Sequence, residues 1–318
     1  SYALYGHAEY DFTDKLELAV GGRYTMDRRQ SIDRRPATAG SARARYNRFN
    51  YDAALTYAFD SDVKAYARYA TGYQSGGVIK GVTFRPEDNK TAEIGIKSEF
   101  FDRRVRLNAA AFRTRIKDQQ RAQVILPQGL VIQNVGRVKI EGIEAELSVS
   151  PVEGLTLSGN FGYNNPRNTQ DDFNLAPKTT FAYNAQYQTP EFGSGMYMLF
   201  ETSGDYRGKS YGQGLLNRRS ANVVPGFNLP PAVYAGFPSQ QAYLNDVFAK
   251  ATIGDYWLMN ARVSLMAIPL ASGKARVSGF VRNLTDSKGR NYAVNVNTNI
   301  QTAYERPRTY GLELGVEF

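Results

Sequence analysis

Seven arginines crowd into "DRRQSIDRRPATAGSARARYNR" at residues 27–48: Arg28, Arg29, Arg34, Arg35, Arg43, Arg45 and Arg48. A guanidinium is a planar, permanently charged fork that suits phosphate or carboxylate oxygens. The chemistry on offer is anion binding, with a merely solvated loop as the plain alternative. A second stretch, 207–250, sets Tyr211, Phe227, Tyr234, Phe237, Tyr243 and Phe248 among glycines and prolines. Aromatic faces there either grip a flat or glycosidic ligand or pack the loop against its neighbours.

Catalytic chemistry is poorly supplied. His7 is the only histidine. One His beside a Ser or Asp can serve a hydrolase, but no nucleophile motif accompanies it. It shares parity with Tyr5, Glu9 and Asp11, which reads as a polar wall residue. With no Cys and no second His there is no disulfide, no thiolate nucleophile and no common metal set, and no cofactor motif appears. The net charge of +9 is spread along the chain rather than gathered on one face, which argues against nucleic acid as partner.

The elements that must position these groups read as strands. In "KLELAVGGRYTMD", Leu16, Leu18, Val20, Gly22, Tyr24 and Met26 oppose Glu17, Ala19, Gly21, Arg23, Thr25 and Asp27. The same period of two sets Ile94 and Ile96 against Glu93, Lys97 and Glu99, and Leu155 and Leu157 against Thr156 and Ser158. Polar-parity charges include Glu144, Glu146, Glu313 and Glu317. Tyr24, Tyr163, Tyr183, Tyr187 and Tyr310 fall on the apolar parity, where an interface girdle belongs. The chain ends in alternation too, with Tyr310, Leu312, Leu314, Val316 and Phe318 on one parity.

About thirteen such strands are expected, near 2–12, 16–27, 47–59, 63–74, 90–100, 105–121, 131–149, 155–165, 179–189, 195–206, 251–266, 275–284 and 306–318, with blurred faces in 63–74 and 195–206. No amphipathic helix pattern competes, so the class is all-β. Short turns at 13–15, 60–62, 101–104, 150–154 and 190–194, and a slightly longer one at 268–274, alternate with longer polar links at 28–46, 75–89, 166–178, 207–250 and 285–305 and a shorter one near 122–130. Tight turns at one end and long loops at the other are the pattern of an antiparallel up-and-down transmembrane β-barrel. No apolar run reaches the roughly 18–20 residues of a spanning helix, and no signal peptide opens the chain. Thirteen strands put the termini at opposite ends, whereas bacterial single-chain barrels carry an even number. The expectation is that residues 1–318 are the C-terminal part of a larger barrel.

Several stretches resemble the C-terminal half of TonB-dependent outer-membrane receptors. "ATGYQSGG" at 70–77 and "FRPEDNKTAEIGIKSEFFDRRVRLNAAAFRTRIKDQQ" at 84–120 resemble the family's mid-barrel run. "NVGRVKIEGIEAELSVSPVEGLTLSGNFGYNN" at 134–165 resembles the next hairpin, "FVRNLTDSKGRNY" at 280–292 the penultimate strand with its exit, and "RPRTYGLELGVEF" at 306–318 the closing segment. The resemblance implies a barrel of about 22 strands around a plugged lumen, in the outer membrane of a Gram-negative bacterium. The plug, the short box that contacts the energy-coupling protein and roughly nine strands are absent from this sequence.

By the same resemblance, Tyr310, Leu312, Leu314, Val316 and Phe318 form the signal read by the barrel-assembly machinery, with a lipid-facing girdle as the bland reading of Phe318. The implied function is active import of a scarce ligand, siderophore-bound iron or another large nutrient, captured on extracellular loops and driven by a TonB-type complex. Arg28, Arg29, Arg34, Arg35, Arg43 and Arg45 then meet either an anionic iron chelate or the phosphates of lipopolysaccharide in the surrounding lipid. Tyr211, Tyr234 and Phe237 are the aromatic candidates for the ligand. A passive anion-preferring porin is the alternative and a barrel enzyme the third.

Overall fold

The computed structural model describes residues 1–33, 40–79, 82–125, 129–134, 136–168, 176–212, 231–296 and 299–318. Its strands are β1 (Tyr2–Thr13), β2 (Leu16–Asp33), β3 (Gly40–Ala58), β4 (Val63–Gln74), β5 (Gly77–Ile79), β6 (Val82–Phe84), β7 (Glu87–Phe100), β8 (Val105–Lys117), β9 (Gln120–Ile125), β10 (Gly129–Asn134), β11 (Arg137–Val149), β12 (Leu155–Asn168), β13 (Thr179–Gln188), β14 (Tyr197–Arg207), β15 (Ser210–Tyr211), β16 (Thr252–Ile253), β17 (Tyr256–Leu270), β18 (Gly273–Arg282), β19 (Arg290–Val296), β20 (Asn299–Tyr304) and β21 (Thr309–Glu317). Thirteen of them form one sheet in the linear order β1-β2-β3-β4-β7-β8-β11-β12-β13-β14-β17-β18-β21, and the others pair into four two-stranded ribbons. Every pairing is antiparallel. The expected meander is therefore present, with β1 and β21 as its outer strands.

Register converts the alternation into two faces. Ala67, Ile94, Ala111, Ile143 and Tyr163 occupy one cross-sheet row on the apolar face. On the other face Tyr66 donates to Glu93 at 2.7 Å, Arg106 meets Glu99 at 2.7 Å, and Asn108 donates to Glu146 at 3.4 Å. A one-residue slip of any strand would exchange these faces. The blurred strands have simple causes. In β4 the apolar face carries small Ala65 and Ala67 while Tyr66 turns to the polar side. In β14 the polar face includes Tyr197 and Leu199.

The short turns hold by local chemistry. Asp60 Oδ1 accepts the amides of Asp62 and Val63, each at 2.8 Å, a side-chain mimic of a backbone turn. Gly273 closes β17 onto β18 at φ 117°, and a Cβ there would collide with the Glu317 carbonyl.

The long links depart from expectation. Residues 28–46 are not an open link: β2 and β3 continue as a ladder out to the pair Asp33–Gly40. The links at 75–89, 122–130 and 285–305 hold the ribbons β5–β6, β9–β10 and β19–β20. The strands expected at 105–121 and 131–149 each split, because Asp118 takes φ 56° and Gly136 φ 63°, releasing β9–β10 from the main sheet. Residues 207–250 carry a helix, α1 (Gln240–Lys250), against the expectation of none. Its large apolar residues, Tyr243, Leu244, Val247 and Phe248, share one face, a short two-turn stripe within eleven residues. No helix among the described residues is long and apolar enough to cross a membrane.

Candidate functional site at the loop end of the sheet

The ribbons β5–β6 and β9–β10 rise from one end of the sheet and are stapled at their bases by two amides. Asn134 accepts the Arg85 amide at 2.8 Å and donates to the carbonyls of Arg85 and Asp118 at 3.0 and 2.8 Å. Gln120 donates to the carbonyls of Ser75 and Arg85, each at 3.0 Å, and its backbone N–H donates to Glu87 at 2.7 Å. Arg85 Nη2 meets Asp118 at 2.8 Å. That hydrogen bond holds the Asp118 carboxyl below its ordinary range, opposed by partial burial and helped by the charge of Arg85. Four segments far apart in sequence are thus fixed by side chains that satisfy backbone groups.

A second structure caps the neighbouring strands. Ser239 caps α1 by accepting the Ala242 amide at 3.1 Å. At the other end Arg290 donates to the carbonyls of Lys250 and Thr252, where unpaired carbonyls and the helix dipole favour a cation. Leu244 is 1% exposed, and Tyr243, Val247, Phe248 and Ala251 are buried with it, the densest apolar packing among the described residues. Tyr211 and Tyr234 pack against this cluster. The Tyr211 ring meets Phe248 edge-on at 6.2 Å, and Phe237 meets Tyr243 at 5.4 Å. Burial pushes the Tyr243 hydroxyl above the usual phenol range. Phe237 keeps 36% of its surface exposed. Phe227 lies outside the described residues.

The arginine stretch is divided by its strands. Arg28 stands opposite Arg45 and Gln30 opposite Arg43, so Arg28, Arg43 and Arg45 share the outer face of the β2–β3 hairpin. Arg29 lies on the inner face, 3.6 Å from Asp27 and donating to Ser75 at 3.4 Å. Arg48 grips Asp88 through two contacts, at 2.7 and 3.2 Å. Arg34 and Arg35 lie outside the described residues. Among its described residues the stretch is two faces of one ladder, on which Arg28, Arg43 and Arg45 come together.

His7 faces inward beside Gly21 and Asp52, its Nε2 3.2 Å from Glu9. Among the described residues no group of His, Cys, Asp or Glu is arranged to hold a metal. Tyr310, Leu312, Leu314 and Val316 all lie on the apolar face of β21, which pairs with β18, and Phe318 follows at 94% exposure. Sequence reasoning put Glu313 on the polar parity but did not single out Asn134, Gln120 or the inner Arg262–Glu313–Arg276 triad. In the triad Glu313 accepts from Arg262 at 2.8 Å and Arg276 at 2.6 Å. Asn134 had one signal, its place two residues before Gly136.

An antiparallel meander with a belt of exposed apolar side chains on one face, paired charges on the other and folded loops at one end defines a transmembrane β-barrel domain. A family model described as TonB dependent receptor-like, beta-barrel matches residues 1–284. The chain belongs to the TonB-dependent receptor β-barrel family, proteins of the Gram-negative outer membrane. It is 25% identical over 178 residues to the ferric-pyoverdine receptor PbuA of a Pseudomonas strain, a match covering 54% of this chain and 22% of that protein. Its fold is that of the ferric yersiniabactin uptake receptor FyuA from Yersinia pestis, at TM-score 0.73 and 17% identity over 99% of this chain and 45% of that one. The siderophore receptor PiuA from Acinetobacter baumannii superposes at TM-score 0.68 and 16% identity, covering 98% of this chain and 42% of its own. The chain thus spans about a fifth of the curated relative and under half of the solved ones.

Proposed function

We propose that this chain is the C-terminal part of the barrel of an active importer rather than an enzyme, one that takes up an iron–siderophore complex or a chelate of similar size and charge. What carries the reading is the asymmetry of the sheet. One end is closed by turns of a few residues, while the other bears stapled ribbons and a helix-packed cap that can hold a ligand in fixed geometry. The names of similar proteins point the same way, since PbuA, FyuA and PiuA are all named as receptors for siderophores or their ferric complexes. Strands before β1 and after β21 in space would complete the barrel, and a plug with its TonB contact would supply the coupling. The outward arginines Arg28, Arg43 and Arg45, with Phe237, are the exposed candidates for contact with the incoming complex.

The test is uptake by the complete receptor in a strain lacking its own copy, using radioactive iron on a panel of siderophores. Import of at least one ferric complex that stops when the proton gradient is collapsed supports the reading. Uptake that persists without the gradient, with stable ion conductance in planar bilayers, means a passive pore instead.

A further inference from the structure

On the outer face, just beyond the apolar rows, four consecutive strands each place a cation in the same row. Thr71 pairs with Lys90, Lys90 with Arg115, Arg115 with Lys139, and Lys139 with Arg167. Lys117 and Arg137 pair one row further out. Backbone partners in such a row lie only about 5 Å apart, and like charges facing each other across strands are unfavourable.

Among the described residues, nearby acids relieve the crowding at Lys139 alone. Glu141 is taken by Arg113 at 2.6 Å and Lys139 at 2.9 Å, and Asp88 by Arg48. Lys90, Arg115, Lys117 and Arg167 have no ion pair among the described residues, and all four are exposed. The row borders a hollow of about 810 Å³ that also touches Phe49 and Tyr51. Towards the turn end, on β3, β4, β7 and β8 and so below the Lys90–Arg115 half of the row, lies an apolar hollow of about 490 Å³ lined by Leu55, Ala67, Ala92, Ile94 and Ala111.

We propose that this row is a binding site for the phosphorylated headgroup of a glycolipid in the outer leaflet. Long loops of outer-membrane barrels are extracellular, so the loop-side edge of the apolar belt lies at the depth of the outer-leaflet headgroups. Forked guanidinium groups of Arg115 and Arg167 chelate phosphate oxygens, and the ammonium groups of Lys90 and Lys139 neutralise the remaining charge. The apolar hollow beneath receives the first segments of the acyl chains. That pairing of basic row over apolar hollow favours a lipid over a soluble anion or an acidic protein. The inference rests on the outer face and the family's membrane, and not on the imported ligand, so the uptake test and this one fail separately.

The experiment is native mass spectrometry of the complete receptor in detergent with diphosphoryl lipid A as probe. The fourfold variant Lys90→Gln, Arg115→Gln, Lys139→Gln, Arg167→Gln should bind it at least about tenfold more weakly, and dephosphorylated lipid A should bind the parent as weakly. A variant of the hairpin, Arg28→Gln, Arg43→Gln, Arg45→Gln, should bind within about twofold of the parent, which separates this row from general positive charge. Retained heat-modifiable mobility reports folding. Should the fourfold variant misfold, the charge-keeping pair Arg115→Lys, Arg167→Lys and the dephosphorylated lipid decide: the pair should lose the bidentate part of the affinity and the lipid nearly all. Equal binding of phosphorylated and dephosphorylated lipid, equal loss in the hairpin variant, or displacement of lipid A by millimolar inorganic phosphate would each overturn the proposal.

Discussion

The side chain of Asn283 donates to the carbonyl of Arg306 at 2.8 Å, tying the exit of β18 to the entry of β21 across 23 residues. The same amide donates to the Ser287 carbonyl at 2.9 Å and accepts the Ser287 N–H at 2.8 Å, while Asn283 itself sits at φ 51°. Asn is among the few residues with a side chain that tolerate this backbone region. Asp286 continues the clamp by accepting the Arg308 amide at 3.1 Å. The motif "NLTD" is therefore a device for turning the chain between its last two sheet strands.

Replacing Asn283 removes three backbone partners in a partly buried place. Asn283→Ala in the complete receptor should cost about 2–3 kcal/mol in urea unfolding, since unsatisfied backbone groups carry their full desolvation cost. Asn283→Gly relieves the positive φ but not the lost hydrogen bonds, so it should recover only part of the deficit. A glycine variant as stable as the parent would show that conformation alone selects Asn here.

The face assignment predicts a sharp asymmetry between neighbouring positions. Ile96→Arg puts a charge among the apolar rows and should cost about 2–4 kcal/mol in a lipid folding assay. Asn108→Arg lies on the opposite face beside Glu146 and should be close to neutral. Equal penalties would mean that the two faces do not differ in environment.

The staple at the ribbon bases should weaken in acid. The Asp118 carboxyl is held below its ordinary value in the folded chain by Arg85. A depressed folded value contributes stability above the unfolded value of about 3.9, and loses it as pH falls through that value towards the folded one. Amide exchange at Arg85 and Gln120, corrected for intrinsic rates, should rise relative to the rest of the sheet below about pH 4. Asp118→Asn should exchange fast at neutral pH and show no such step. A parent profile parallel to that variant would remove Asp118 from the staple.

The thirteen sheet strands were legible because lipid on one side and a polar wall on the other impose alternation residue by residue, as in Leu16 to Met26 and Leu312 to Val316. The loop end was not. The β2–β3 ladder runs through Arg28, Arg43 and Arg45 without an apolar face, since beyond the membrane both faces meet water and alternation loses its cause. Helix α1 draws its packing from Tyr211, Tyr234 and Ile300, distant partners that no local period records. The basic row needs four strands in register before Lys90, Arg115, Lys139 and Arg167 become neighbours at all.

The last prediction concerns the edges of the sheet. β1 pairs with β2 and β21 with β18, each as an outer strand, and every residue of β1 is exposed. In hydrocarbon each unpaired backbone group costs several kcal/mol, and an edge strand presents several of them. Their sum exceeds the 5–15 kcal/mol that typically separates folded from unfolded chains, taken as a rough scale. Residues 1–318 expressed alone should therefore fail to give a heat-modifiable, protease-resistant species in outer membranes. Supplying strands that pair with β1 and β21, as the complete receptor is proposed to do, should restore both properties. A stable membrane-inserted form of the 318-residue chain by itself, with β1 cross-linked to β21 through introduced cysteine pairs, would show that the sheet closes on its own into a smaller pore.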